Sequence, residues 1–245
     1  CIDYIIADKT LIPKDNQHHY TEKVLYLNQS AMCCDDTMIN YDCDKPRSYY
    51  QLPENGLIFT CFNNNYKISP EEFDIWMNLL SRINESYLWL KISNDSAKDN
   101  LIKEAKKRGI SSERIIFAGF VPFNIHLERY TQGDLFLDTF NYNAGSTAVI
   151  TLLAGMPLLT LKGRSYHSRM SASLLMDLGL PELISQSPSE YEEKAYYYAT
   201  NRHELKLIKE KLKQSIKTSK TFNSKSFSKD LERIYKKIYF EKLKG

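Results

Sequence analysis

Short apolar runs alternate with amphipathic stretches along most of the chain. The runs at 57–62, 87–92, 114–119, 134–138 and 157–161 have the length of buried strands. Between the first two, Phe73, Trp76, Met77 and Leu80 share one face of a helix predicted over 70–83. Ser69, Pro70 and Glu72 supply its cap, its first-turn proline and a capping-box acid. A polar helix is predicted over 96–108, with Gly109 as its stop. Shorter helices follow over 124–132, 146–154 and 166–178, the second ending at Gly155 and the third leading into 180–184. Apolar strands separated by helices describe βαβ units and a parallel sheet covered on both faces. The expected fold class is α/β, a Rossmann-like doubly wound parallel sheet over 51–200.

The flanks differ from this middle. Residues 1–50 hold two apolar runs, 3–7 and 23–27, among loops rich in His, Asn and Asp, and read as the tail of a preceding lobe plus a linker. The first residue is Cys1 rather than Met, so the chain is expected to begin inside a longer protein. At the other end, residues 202–245 carry 14 Lys/Arg against 5 Asp/Glu, while the first 201 carry 19 against 25. The overall net charge of +3 conceals this asymmetry. Leu205, Ile208, Leu212 and Ile216 fall at helical spacing, as do Leu231, Ile234 and Ile238. Two terminal helices over 201–245, each with one apolar stripe and a basic solvated face, therefore account for the charge without a nucleic acid partner.

With 42% hydrophobic residues the chain can bury a core, and no run approaches the roughly 18 apolar residues of a membrane span. The five cysteines, at 1, 33, 34, 43 and 61, fit no disulfide scaffold and suggest a reducing compartment, the cytoplasm. No Cys-x-x-Cys pair supports a zinc site beside His18 and His19, and Asp42-Cys43-Asp44 sits in a polar loop, so no metal site is expected. Neither a Gly-x-Gly-x-x-Gly turn nor a Gly-x-x-x-x-Gly-Lys-Ser/Thr loop occurs, against dinucleotide oxidoreductases and P-loop NTPases. The absence of Gly-x-Ser-x-Gly disfavours a serine hydrolase.

In doubly wound sheets ligands bind beyond the carboxyl ends of the strands. Four such loops here are suited to anions. Asn143-Ala144-Gly145-Ser146-Thr147 opens a helix, where free N–H groups and two hydroxyls can hold a diphosphate, although Ser146 as a plain N-cap explains the pattern equally well. Asn64 and Lys67 follow the first strand, either as phosphate ligands or as an ordinary solvated turn. His126 follows the third strand, as a phosphate donor or a bystander. Lys162, Arg164 and Arg169 follow the fifth. Together they suggest a nucleotide diphosphate lying along 62–67, 120–126, 139–147 and 162–169.

At these residues the chain resembles the C-terminal catalytic lobe of O-GlcNAc transferase and its bacterial relatives. The resemblance runs in order through Asp3-Tyr4-Ile5-Ile6-x-Asp8, Leu52-Pro53-Glu54, Phe62-Asn63-x-x-Tyr66-Lys67-Ile68, Leu88-Trp89-Leu90 and Arg114-Ile115-Ile116-Phe117. It continues through Pro122-x-x-x-His126, Leu137-Asp138-Thr139, Asn143-Ala144-Gly145-Ser146-Thr147, Ala154-Gly155-x-Pro157, Ser168-Arg169 and Leu231-Glu232-Arg233.

The resemblance implies a GT-B fold of which this chain is mainly the donor-binding half, with the 201–245 helices packing back on the catalytic lobes. It implies an inverting, metal-independent enzyme with no cofactor, moving N-acetylglucosamine from UDP to Ser/Thr of a protein acceptor. By position, Lys67 stabilises the leaving UDP phosphate. Asn64 stands where the family carries a phosphate-contacting Gln, Ser146 and Thr147 match its diphosphate-binding hydroxyl pair, and His126 matches a His near the uracil and ribose. With Asn143 and Gly145 these make up the expected donor site. Three positions depart from the family pattern: Phe123 replaces a Lys, Ile150 replaces an Asp near the ribose, and Gly145 replaces a His of some members. Two alternatives follow, a UDP-glucose-dependent protein N-glucosyltransferase or an inactive nucleotide-sugar-binding module. The complementary N-terminal lobe is an expected partner, without which this piece is expected to be inactive.

Overall fold

A computed structural model describes residues 2–38 and 45–244. The Asp42-Cys43-Asp44 motif lies outside the described residues.

Six strands build the main sheet: β3 (Leu57–Cys61), β4 (Ser86–Lys91), β5 (Ile115–Ala118), β6 (Leu135–Leu137), β7 (Leu158–Leu161) and β8 (Ile184–Ser185). All are parallel, in the order β5-β4-β3-β6-β7-β8. The centre of the sheet is its most apolar part. Every residue of β3 and β6 is buried, as the uninterrupted hydrophobic runs require of strands covered on both faces. Phe59 pairs with Leu88 on one side and Leu135 on the other.

The chain lays down β3, β4 and β5 in one direction, then returns past β3 to lay down β6, β7 and β8 in the other. The switch point lies between β3 and β6. Such a point leaves a crevice at the carboxyl edge, because the two connecting loops depart to opposite faces.

Helices cover the sheet: α1 (Pro70–Arg82), α2 (Asp95–Lys107), α3 (Phe123–Arg129), α4 (Ser146–Leu153), α5 (Met170–Asp177) and α6 (Pro188–Thr200). Helix α1 buries Phe73, Ile75, Trp76, Met77, Leu79 and Leu80, and the Ser69–Glu72 capping box closes its start. Gly109 takes φ +77° just beyond α2, the left-handed conformation that lets a helix end there. The predicted helix over 124–132 tightens into a 3-10 turn at Tyr130–Gln132, and the one over 166–178 begins as another at His167–Arg169. The run at 180–184 yields only the two-residue β8, because Pro181 starts a 3-10 turn instead.

The flanks are tied to this body by specific contacts. Strands β1 (Tyr4–Ala7) and β2 (Lys23–Tyr26) pair in parallel. The buried Asp8 carboxylate accepts from the Thr10, Leu11 and Ala31 amides and from Ser173 Oγ of α5. Arg47 binds Asp134 at 2.9 Å and the Gly56 and Gln132 carbonyls, pinning the segment before β3. Helix α7 (Arg202–Thr218) buries Leu205, Ile208, Leu212 and Ile216 in the main core. Helix α8 (Ser224–Lys244) runs back along the N-terminal segment, where Asp230 accepts from the Asn28 amide and Glu241 faces Lys23.

Candidate functional site

A cavity of about 430 Å³ opens at the carboxyl edge, where β3 and β6 part. Its walls come from the β3–α1 loop, the end of β4, the β6–α4 loop and Met170 of α5. Of the seven residues expected at a donor site, Asn64, Lys67, Gly145, Ser146 and Thr147 line it together.

The β6–α4 loop is organised from beneath by Asp138, which is fully buried. Its Oδ1 accepts from Asn63 Nδ2 (3.0 Å), the Thr139 amide (2.9 Å) and the Ala144 amide (2.7 Å), and its Oδ2 accepts from Thr160 Oγ1 (2.8 Å). One carboxylate thereby joins the loops after β3 and β6 to β7. Burial pushes its pKa up, while these donors pull it down.

Asn143 acts inside the same loop. Its amide donates to the Thr139 carbonyl at 2.8 Å, and the residue is fully buried. Its Oδ1 is buried and has no hydrogen-bond partner among the described residues, so the loop's backbone takes up only half of this side chain. Gly145 leaves the wall open: a Cβ there would lie 2.8 Å from Met170 Cε. No side chain caps α4, so its first N–H groups and the Ser146 and Thr147 side chains are presented to the cavity.

Lys67 is held in place before any ligand arrives. Its ammonium donates to the Asn143 carbonyl at 3.1 Å and sits 3.7 Å from the centroid of the Tyr142 ring. An ammonium has three N–H donors and Lys67 commits one to protein, leaving the others for the cavity. Burial moves its pKa below the usual lysine range, opposed chiefly by the Asp138 charge. The ammonium and the start of α4 thus converge on one space. The arrangement suits an anion, and above all one with two adjacent charged groups.

His126 and the basic residues of 162–169 stand outside this lining. The His126 ring lies beside that of Phe62, with centroids 5.8 Å apart. Its Nδ1 accepts from Arg129 Nε at 2.9 Å, and its Nε2 faces the Tyr130 hydroxyl at 3.4 Å. Burial and the charges of Arg129 and Lys91 hold its pKa down to about 4. Both ring nitrogens thus have partners within α3 and the turn that follows it. Arg169 instead donates to the Thr10 carbonyl at 2.5 Å and the Gly163 carbonyl at 3.2 Å, clamping the N-terminal segment.

Lys91 and Met170 line the cavity but fall outside the stretches 62–67 and 139–147 expected to hold the ligand, whereas Phe62, Tyr66 and Tyr142 fall within them. Lys91 at the end of β4 and Tyr142 in the β6–α4 loop both line the wall. Lys91 reads as the polar terminus of a strand, and Tyr142 gains meaning only from the lysine it covers. Among the described residues, no group of three His, Cys, Asp or Glu side chains gathers as a metal site, and no helix is long and apolar enough to cross a membrane.

A parallel sheet flanked by helices, with an anion-suited crevice at its switch point, is the architecture of the donor-binding half of GT-B glycosyltransferases. A Thermobaculum terrenum O-GlcNAc transferase of solved structure superposes with a TM-score of 0.86 at 26% identity, over 97% of this chain and 45% of that one. Residues 41–231 match glycosyl transferase family 41, and the chain belongs to that family. It is 34% identical, over 97% of its length, to a probable UDP-N-acetylglucosamine--peptide N-acetylglucosaminyltransferase of Arabidopsis thaliana, SEC. It is 31% identical, over 76% of its length, to the UDP-N-acetylglucosamine--peptide N-acetylglucosaminyltransferase of Caenorhabditis elegans. The chain spans 25% and 16% of those two relatives.

Proposed function

We propose that this chain is the donor-binding part of an enzyme that moves N-acetylglucosamine from UDP to Ser or Thr of a protein, with inversion and without a metal. The observation that carries the reading is the convergence of Lys67 and the uncapped start of α4 on one cavity. An acceptor hydroxyl attacks the anomeric carbon, the bond from that carbon to the phosphate oxygen breaks, and UDP leaves with the electron pair. Charge grows on the departing phosphate as this happens. An ammonium and helix N–H groups already in position stabilise it without reorganisation. The acceptor's proton goes to a base in the complementary N-terminal lobe, which is also the main source of acceptor contacts. Names of the relatives support the donor and the peptide acceptor. Cys33, Cys34 and Cys61 are free thiols, which suits a reducing cytoplasm.

The departures from the family pattern at Phe123 and Ile150 keep the sugar open to test. Titration calorimetry with UDP-GlcNAc and UDP-glucose separates the readings. Tighter binding of UDP-GlcNAc supports the proposal, and tighter binding of UDP-glucose favours transfer of glucose. Failure of both to bind favours an assembly module.

A further inference from the structure

Lys67 and Lys91 line the cavity with Phe62, Arg129 lies against that ring, and among the described residues none of the three cations has a carboxylate within 4 Å. Lys67 lies on the α4 side, over Tyr142. Arg129 is buried; its guanidinium donates to His126 Nδ1 and the Gly119 carbonyl and lies 5.0 Å from the Phe62 ring. Lys91 is the last residue of β4. The residue lines the cavity and its ammonium donates to Asn64 Oδ1 at 3.4 Å, while the Asn64 amide donates to the Tyr66 hydroxyl at 3.2 Å. An asparagine oxygen is a neutral partner, so the Lys91 charge is left uncompensated.

Two lysines lining one small cavity place like charges together, and those charges repel. A ligand with two linked anionic groups reverses the sign of that energy. Lys91 also lies on the side toward His126, whose pKa its charge helps to depress. Lys67 lies toward the helix start that receives the leaving phosphate in the reading above.

The geometry points to Lys91 as a second ammonium ligand of the donor diphosphate, holding the phosphate next to the nucleoside while Lys67 holds the one next to the sugar. The inference rests on the UDP-sugar reading for the nucleoside, but the pairing of two ammonium groups can be tested without it.

The experiment is calorimetric titration of the protein with UDP, UMP, uridine and inorganic pyrophosphate, in wild type, Lys91→Met, Lys91→Arg and Lys67→Met. Lys91→Met is expected to weaken UDP and UMP about equally, by roughly 10-fold, and to leave uridine unchanged. Lys67→Met is expected to weaken UDP more than UMP. Lys91→Arg keeps the charge and is expected to recover most of the affinity. Lys91 is only half-buried at a strand end, and an unchanged melting temperature verifies that the variants fold. A Lys91→Met affinity for UDP equal to wild type, or an equal loss for uridine, overturns the inference. Wild type that ignores UDP but binds pyrophosphate in a Lys91-dependent way defeats the nucleotide reading and spares the two-ammonium site. Wild type that binds neither defeats both.

Discussion

Lys67 shows what a single residue can and cannot reveal from sequence. Its position after a predicted strand and before a predicted helix marked it as able to reach the sheet's carboxyl edge. Its restraint by the Asn143 carbonyl and the Tyr142 ring depended on residues about 75 positions away, and no local pattern carries that. His126 was legible as a residue near the crevice but not as one whose ring nitrogens are spent on Arg129 and Tyr130. A pH effect follows at this scale. Binding of a UDP-sugar, whose diphosphate does not titrate near neutrality, requires Lys67 as ammonium. Its pKa lies below the usual lysine range, so affinity is expected to fall as pH rises, at a lower pH than an ordinary lysine would give. Calorimetry across pH 7 to 10 checks this, and Lys67→Arg is expected to move the fall to higher pH.

At the scale of elements, the strand and helix order was readable because each strand is a continuous apolar run and each long helix has a single apolar face. Short elements were less legible. Residues 130–132 and 167–169 tighten into 3-10 turns, and β8 shrinks to two residues, because turn geometry is settled by what packs around it. The β6–α4 loop is the element on which the site depends, and Asp138 holds it. Asp138→Ala is expected to lower stability by about 3 kcal/mol or more, since it strands several buried donors at once. Asp138→Asn is expected to cost less. Three donors converge on Oδ1, so the new NH₂ would face Thr160, whose hydroxyl can rotate to accept it. Urea unfolding of both variants measures the difference.

For the whole molecule, the basic C-terminal region resolves into two helices of unequal standing. Helix α7 is part of the main core, with Leu212 fully buried, whereas Tyr239 of α8 is 63% exposed. Leu212→Ala is expected to cost roughly 2–5 kcal/mol and Tyr239→Ala less than about 0.5 kcal/mol, as thermal and urea unfolding would register. The apolar stripe of α7 was visible in the sequence; its docking partners come from strands and helices far back in the chain and were not. The doubly wound order brings the loops after β3 and β6 together, and the account depends on that juxtaposition. A crystal structure of the protein with UDP tests it most directly. The diphosphate is expected within about 3 Å of Lys67 Nζ and of the first amides of α4. UDP bound elsewhere, with Lys67 and Ser146 untouched, would contradict the account.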